Sequence, residues 1–517
     1  MNTIPNSRFI LAASAILLTA CTVHAQLLTN SYKLSGQTAT MLSSNTVSQI
    51  LIDHGTVFFG TDKGLNVTTD GGRTFQDSLG TGGPSSISLN AIAVIGDTII
   101  AAVSGSLDQS GTTYPVGKGL YASIDFGKTW TYEPQSIDSL ADSTVAYGKN
   151  RLIALAITTG VNNVSYSATF FKGELYTANF AGGLRRSTDL GKTWHRVVLP
   201  PDYLDYITPD STYSFQLSPV ASTGLTTESN LNQRVFSIYS DGDSALYVGT
   251  ADGIDKTTDG LTWYKFNHQN EAEAISGNFV VYITGQNYGT LHNIWAATVN
   301  ATTPGEVEAL SYTGDGGASW QFILPGHFFH SIAFNDSIVY AASDDGLFRT
   351  SDFGQTYQAV TNIYDASAGQ SVLAGSFYAV AASGDSVWVG SGDGTAEEID
   401  NGTSFDSNGW SVFRSYVSVG SSNFTYFYPN PFSPTLDVGR IHYSVRNAGS
   451  SVTIRIFDFS MHAIRTLIQN VPQNAGEHDV PWNGLGDAGG MVDNGVYFYS
   501  VTVSNQAPAW GKILVVR

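Results

Sequence analysis

The chain has 517 residues, of which 42% are hydrophobic and 12% aromatic, with 54 glycines and only 13% charged side chains; that is the composition of an ordered β-protein and excludes a disordered chain. A formal net charge of −19 argues against nucleic acid and anionic membrane as partners, because phosphate binding needs clustered Lys and Arg. Cys21 is the one cysteine, so no intrachain disulfide forms, and the length exceeds what a single core usually holds.

Residues 1–25 have the layout of an export signal. Arg8 supplies the positive charge, Phe9 to Leu18 the apolar stretch, and Val23-His24-Ala25 a small-x-small cleavage site before Gln26. Leu18-Thr19-Ala20-Cys21 offers a second reading, a lipobox that would place a lipid on Cys21. Past residue 25 no apolar run approaches the ~18 residues that span a bilayer. The mature chain is therefore expected to have no transmembrane helix.

From residue 40 onward one pattern recurs, Ser/Thr-x-Asp-x-Gly-x-Thr/Ser-aromatic. It is complete at Thr68 to Phe75, Ser123 to Trp130, Ser187 to Trp194, Thr313 to Trp320 and Thr350 to Tyr357. Thr257 to Trp263 is one residue short, and Glu398 to Phe405 lacks the leading hydroxyl. The invariant carboxylates are Asp70, Asp125, Asp189, Asp259, Asp315, Asp352 and Asp400. An Asp side chain accepts backbone N–H bonds in a tight turn, and Gly takes positive φ without strain. The aromatic brings a large apolar face to the next strand. These repeats predict hairpin turns and not a chemical site. Upstream of most copies, alternating apolar strands are punctuated by Gly and Asp, as in VFFGTDKGLNVTTDGG from Val57. Seven units of about four strands fit a closed ring better than a solenoid, which needs capping repeats.

The eight-residue motifs resemble the Asp-box (BNR) repeats of sialidase and sortilin-type propellers. That resemblance implies a seven-bladed β-propeller over 40–417, an architecture that hosts enzymes, receptors and assembly factors alike. It carries no sialidase expectation: the Arg-Ile-Pro motif is absent, and five arginines (Arg73, Arg185, Arg186, Arg196, Arg349) sit in or beside the boxes, at the expected blade periphery.

Between the third and fourth motifs the Asp-to-Asp spacing rises to 70 (Asp189 to Asp259), against 37 for Asp315 to Asp352. Loops that outgrow their scaffold often carry binding. The extra segment Leu199 to Asn232 contains Tyr203, Asp205, Tyr206 and Tyr213, and Tyr beside acidic groups suits a glycan or protein ligand. These four are the candidate binding residues.

Residues 418–427 are polar and are expected to be a linker. Residues 428–517 hold about seven short strands, the pattern of a small immunoglobulin-like sandwich. The order Tyr428-Pro429-Asn430-Pro431-Phe432, then Gly495-Val496-Tyr497-Phe498-Tyr499, then a basic final residue resembles the type A sorting domain of the type IX secretion system. It is also similar to the immunoglobulin-like domain of flagellar hook-cap proteins. The resemblance implies delivery by secretion machinery to the cell exterior or outer surface of a bacterium.

Chemistry is sparse. Asp205, Asp210, Glu271, Glu273, Asp344 and Asp345 are carboxylates that a glycoside hydrolase could pair across a groove. His327 and His330 are three apart and face opposite sides of a strand, against a shared metal. Ser240 to Ser244 resembles half a calcium loop without the distal Glu. No cofactor motif is present and no catalytic residue is assigned, so the expected function is a noncatalytic secreted binding module; the alternatives are a glycoside hydrolase and an assembly scaffold. Deleting residues 424–517 is expected to trap the chain in the periplasm, as read by cell fractionation; unchanged secretion refutes the sorting role. The mass of the mature N-terminus decides between Gln26 and a lipidated Cys21.

Overall fold

Period-two alternation punctuated by Gly and Asp produces strands and almost nothing else. The computed structural model is all-β, a seven-bladed propeller followed by an immunoglobulin-like sandwich, and a 3₁₀ turn at Leu231–Gln233 is the sole helical element among the described residues. The described residues are 41–77, 82–220, 230–301, 303–368, 370–372, 374–402, 405, 409–415, 425–435, 437–504 and 506–517. The export signal with Cys21, and most of the 418–427 linker, lie outside them. Two units result. One holds the described residues up to Thr361 and those from Gly375 to Phe405; the other holds the 362–374 stretch and the described residues from Gly409 onward.

The first unit is built on seven antiparallel sheets whose innermost strands are Val47–Asp53, Ser88–Ile95, Ser165–Phe171, Val235–Asp241, Phe279–Tyr288, Phe329–Asn335 and Phe377–Ser383. They define blades 1 to 7. Each innermost strand packs on the next, and the seventh packs on the first. Closure is made by side chains as well as backbone. Trp388 of blade 7 meets Phe59 of blade 1 edge-on at 5.2 Å, and the Gly394 N–H donates to Asn45 O at 2.8 Å. At Gly390 a Cβ would lie 2.7 Å from Val47 O, so only glycine fits where the last blade meets the first.

Every innermost strand carries a register shift near its start, at Val47/Gln49, Leu89/Ala91, Ser165/Ser167, Val235/Ser237, Val280/Tyr282, Phe329/Ser331 and Phe377/Ala379. A bulge bends and re-aims a strand. Here it brings Ser48, Ser167, Ser237 and Ser331 against the following blade, where their hydroxyls donate to Leu89 O, Ile238 O, Val280 O and Val380 O at 3.3–3.5 Å.

The repeated turn closes on itself. At Thr68 to Phe75, Asp70 Oδ1 accepts from the Thr68 hydroxyl and the Thr74 amide, both at 2.9 Å, and Oδ2 accepts from the Thr74 hydroxyl at 2.6 Å. The Gly72 amide donates to the Thr68 hydroxyl oxygen at 3.0 Å. The same pattern surrounds Asp125, Asp189, Asp315 and Asp352. The shortened copy keeps its cap, with Asp259 Oδ1 accepting from Thr262 N–H at 2.6 Å.

The residue after the Asp takes positive φ even where it is not glycine, as in Phe126 (56°), Leu190 (59°) and Phe353 (55°). That conformation costs roughly 1–2 kcal/mol. The contacts offset it. Phe126 reaches Phe58 of the preceding blade at 6.1 Å, and Phe353 stacks on Trp295 of the preceding blade at 6.0 Å and 9°. The turn thus carries an apolar peg into the neighbouring sheet.

The seventh copy is different. Asp400 is 1% exposed, and its carboxylate keeps one bond to its own turn, from the Gly402 amide to Oδ1 at 2.8 Å, while reaching blade 6. It accepts from Arg349 Nε at 2.5 Å and from the Tyr340 hydroxyl at 2.5 Å. Losing the leading hydroxyl (Glu398 stands there) freed this carboxylate to pair across blades.

The second unit is a seven-stranded sandwich. One sheet holds Thr425–Tyr428, Gly439–Val445 and Gly476–Trp482; the other holds Ala463–Gln473, Ser450–Phe457, Gly495–Val503 and Ala509–Val515. Phe427, Phe432, Trp482 and Tyr499 fill its core. The Tyr-Pro-Asn-Pro-Phe opening is fastened to the final strand. Asn430 Nδ2 donates to Lys512 O at 2.8 Å, Leu514 N–H to Asn430 Oδ1 at 2.9 Å, and Phe432 N–H to Leu514 O at 2.8 Å. Two boundaries differ from those expected. The strand Thr425–Tyr428 starts inside the stretch read as linker, because Phe427 is needed in the core. The hairpin Ile363–Asp365 with Gln370–Val372 groups with this unit although it falls within 40–417. Arg414 Nη1 donates to Gln370 Oε1 at 2.9 Å and Arg440 Nη2 to Ser371 O at 2.6 Å, so two buried guanidiniums hold it there.

Asp400→Asn is expected to cost about 3 kcal/mol in denaturant unfolding, because it strands the Arg349 charge, and more than Asp125→Asn costs. An equal loss contradicts the cross-blade role. The hydroxyl and amide of Thr129 hold the Asp125 carboxyl down to about 2, and those of Thr193 do the same for Asp189, from an ordinary 3.8. A depressed carboxyl stabilises above its unfolded value and loses that contribution as pH falls through the folded one. Thermal midpoints should therefore drop between about pH 4 and pH 2, by less in the Asp125→Asn, Asp189→Asn double variant.

Candidate ligand-binding site

The connection from blade 2 to blade 3 outgrows a simple turn. After Thr131–Glu133 it runs along the outer half of blade 3, then folds into the hairpin Thr144–Tyr147 with Asn150–Ala154. The gap between this connection and the hairpin Gly183–Ser187 with His195–Arg196 is a cavity of ≈ 530 Å³, within the range of small-molecule sites.

Blade 3's repeat turn makes the positive charge. Hairpin register sets Arg185 directly opposite Arg196, and like charges opposite one another repel. Asp138 from the connection resolves this. Its Oδ1 meets Arg185 Nη1 at 2.8 Å and its Oδ2 meets Arg196 Nη2 at 2.5 Å. The Ile157 amide also donates to Asp138 Oδ2, at 2.7 Å. The guanidiniums are 3% and 9% exposed. Burial, then the Arg185 charge, pushes Arg196 down to about 10, which leaves it cationic at neutral pH. Arg186 is neutralised separately by Glu174 at 2.9 Å.

Three residues that line this cavity each carry a polar atom enclosed by protein with no protein partner: Ser136 Oγ, Arg185 Nη2 and Trp194 Nε1. An unmade buried hydrogen bond costs about 1–3 kcal/mol. The Arg185 and Trp194 atoms are donors only, and the serine hydroxyl donates or accepts. The wall also carries the carboxylates of Asp138 and Asp142.

The segment Leu199 to Asn232, where the four candidate binding residues lie, supports this wall. Gln216–Leu217 pairs parallel with Asn150–Ala154. The Tyr213 amide donates to Asn150 Oδ1 at 2.8 Å, and its ring packs on Tyr147 and Phe215 at 6.2 and 5.8 Å. Tyr213 is a packing residue. Tyr206 belongs to a short fifth strand, Tyr206–Ile207, on the outer edge of blade 4, where it meets Tyr264 at 4.8 Å. Asp205 Oδ1 accepts from Asn270 Nδ2 at 3.0 Å, and Tyr203 is 65% exposed. The four therefore have separate surroundings.

The other candidates are likewise dispersed. His330 pairs with Asp344 and His327 with Asp345, each at 2.8 Å, so the two histidines serve different carboxylates. Among the described residues no group of three His, Cys, Asp or Glu is arranged to hold a metal. Ser240 to Ser244 is the hairpin turn between Val235–Asp241 and Ala245–Thr250. Glu271 stands apart in one respect: burial, then the Asp205 charge, holds its carboxyl above the usual range.

Arg185, Arg196 and Asp138 were not candidates. Arg185 and Arg349 each lie opposite the outermost strand of their blades and are nonetheless buried. A signal was present: a turn spanning Ser187 to Trp194 necessarily pairs 186 with 195 and 185 with 196. Two arginines in register demand an anion. That it would come from Asp138, 47 residues upstream of Arg185, no local pattern shows.

With the geometry in place, the comparisons are as follows. Residues 435–507 match the FlgD Ig-like domain family. No curated protein matches the sequence. Solved structures with similar folds include YCF48 from Cyanidioschyzon merolae, at 15% identity over 70% of this chain and 98% of that one, TM-score 0.42. Another is PorZ, a bacterial surface component of the type-IX secretion system of Porphyromonas gingivalis, at 16% identity over 91% and 75% of the two chains, TM-score 0.31. A third is an ancestral GH74 enzyme, at 14% identity over 92% and 72%, TM-score 0.33.

Asp138→Asn should destabilise the protein by about 3–5 kcal/mol, because two buried guanidiniums lose their shared counter-charge. Denaturant unfolding checks this; a loss below 1 kcal/mol would show that solvent already screens the pair.

Proposed function

We propose that this protein is an exported, noncatalytic binding module of the Asp-box propeller type, taking a glycan or protein group in the cavity beside blade 3. The observation that carries the reading is the state of that cavity's groups. Its two buried guanidiniums, Arg185 and Arg196, are fixed by one carboxylate, Asp138, at the edge of a preformed space of ≈ 530 Å³. Walls fixed in this way hold a ligand at little ordering cost. The self-closing Asp turns support the propeller type, and the fastening of the Tyr-Pro-Asn-Pro-Phe segment to the last strand gives secretion machinery a rigid C-terminal module to engage. No helix among the described residues is long and apolar enough to cross a membrane.

A second reading rests on Glu271, whose carboxyl is raised beside Asp205. A pair of carboxyl groups is what glycoside hydrolysis uses. Incubating the full chain with a panel of plant and bacterial polysaccharides separates the two. Retention of a polysaccharide without new reducing ends, lost in Trp194→Ala, is the expected result. Hydrolysis abolished by Glu271→Gln or Asp205→Asn would overturn the noncatalytic reading.

A further inference from the structure

Lys265, on the fourth strand of blade 4 (Trp263–Phe266), is the one buried lysine among the described residues, and its side chain has no exposed surface. Its Nζ donates to Pro201 O at 3.1 Å, Asp202 O at 2.6 Å and Asp252 Oδ2 at 2.7 Å. Asp252 stands in the turn that joins Ala245–Thr250 to Gly253–Thr257. We infer that Lys265 and Asp252 condense to an isopeptide bond, a covalent cross-link of blade 4 made by the chain itself.

An ammonium has three hydrogens, and here each has one acceptor. Passing one along the 2.7 Å contact to Asp252 turns the ion pair into an amine and a carboxylic acid. The amine keeps its two hydrogens on the carbonyls of Pro201 and Asp202, so its lone pair faces the Asp252 carboxyl. The carboxyl carbon is then about 3–4 Å away, close to a near-attack arrangement. The surroundings favour the neutral pair, and a desolvated lysine is an effective nucleophile. Burial, against the pull of the Lys265 charge, raises the Asp252 carboxyl to about 6. Asp255, directly opposite Lys265 in the strand ladder, is fully buried and has Oδ1 without a partner. Burial holds its carboxyl well above the usual range, which withdraws a second counter-charge from the ammonium. In the step itself the Nζ–Cγ bond forms, a Cγ–O bond breaks, and the hydroxyl leaves with one amine proton as water. Nothing is oxidised or reduced, and the remaining N–H stays on a carbonyl. Asp252 is 15% exposed, which gives the water a way out.

The cross-link stiffens a part of the ring that carries the expanded segment. Asp202 Oδ2 and Oδ1 accept from the Leu231 and Asn232 amides at 2.9 and 3.0 Å, so both ends of Leu199 to Asn232 are fastened where Lys265 is held. Cys21 is the one cysteine, and no disulfide can take this role.

Mass spectrometry of the denatured full chain tests this. The expected mass is one water below that of the sequence counted from its observed N-terminus. Trypsin, which cuts after Lys256, should leave the peptides that carry Asp252 and Lys265 joined by an amide. Lys265→Arg should restore the full mass. A chain of full mass whose Lys265 is acetylated by an amine reagent once unfolded overturns the inference, and so does a water loss that maps to other residues. Both of these readouts use the unsubstituted chain, so they decide the matter whether or not the variant folds.

Discussion

A four-stranded sheet has two apolar faces and cannot bury either alone, so every blade depends on a neighbour at each side. Seven blades satisfy this only if the last meets the first. The seam between blade 7 and blade 1, where Trp388 lies against Phe59 and Gly390 admits Val47, is thus the constraint on which the rest depends. Around the ring the same problem is solved repeatedly by three small devices. Bulges turn serines onto the next blade, positive-φ residues peg into the preceding one, and each Asp fixes the turn that presents the peg. Asp400 keeps one bond to its own turn and adds a buried ion pair across blades to Arg349.

Regularity of this kind leaves little room for a site inside a blade. The candidate site forms where regularity ends, at the connection between blades 2 and 3. That connection needs its own support, which Leu199 to Asn232 supplies by pairing Gln216–Leu217 with Asn150–Ala154. The repeat turn of blade 3 then has a second use. Its register forces Arg185 opposite Arg196, and the connection answers with Asp138. A structural motif without chemistry of its own has in this way placed two cations at the edge of a cavity.

Much of the fold was legible in the sequence because it is local and repeated. Seven Asp motifs gave blade number and turn positions, and alternation gave the strands. The serine links were not legible, since a bulge adds one residue without a compositional mark. The hairpin 362–374 was misplaced because its partners, Arg414 and Arg440, are distant in sequence. For the site, spacing drew attention to Leu199 to Asn232, whereas the cavity is lined by the preceding connection and blade 3. Tyr213 packs and Tyr206 extends a sheet, whereas the cavity wall includes Arg185, Trp194 and Arg196, which a reading of the motif assigns to structure. Burial, which decides whether an arginine is decoration or a binding group, is not encoded in the motif.

The most direct measurement is a crystal structure of the full chain soaked with an oligosaccharide that it retains. Ligand density is predicted between blade 3 and the connection that precedes it, against Trp194 and Lys192. Density at Tyr203 and Tyr206 on the edge of blade 4, with the blade 3 cavity holding only water, would contradict it.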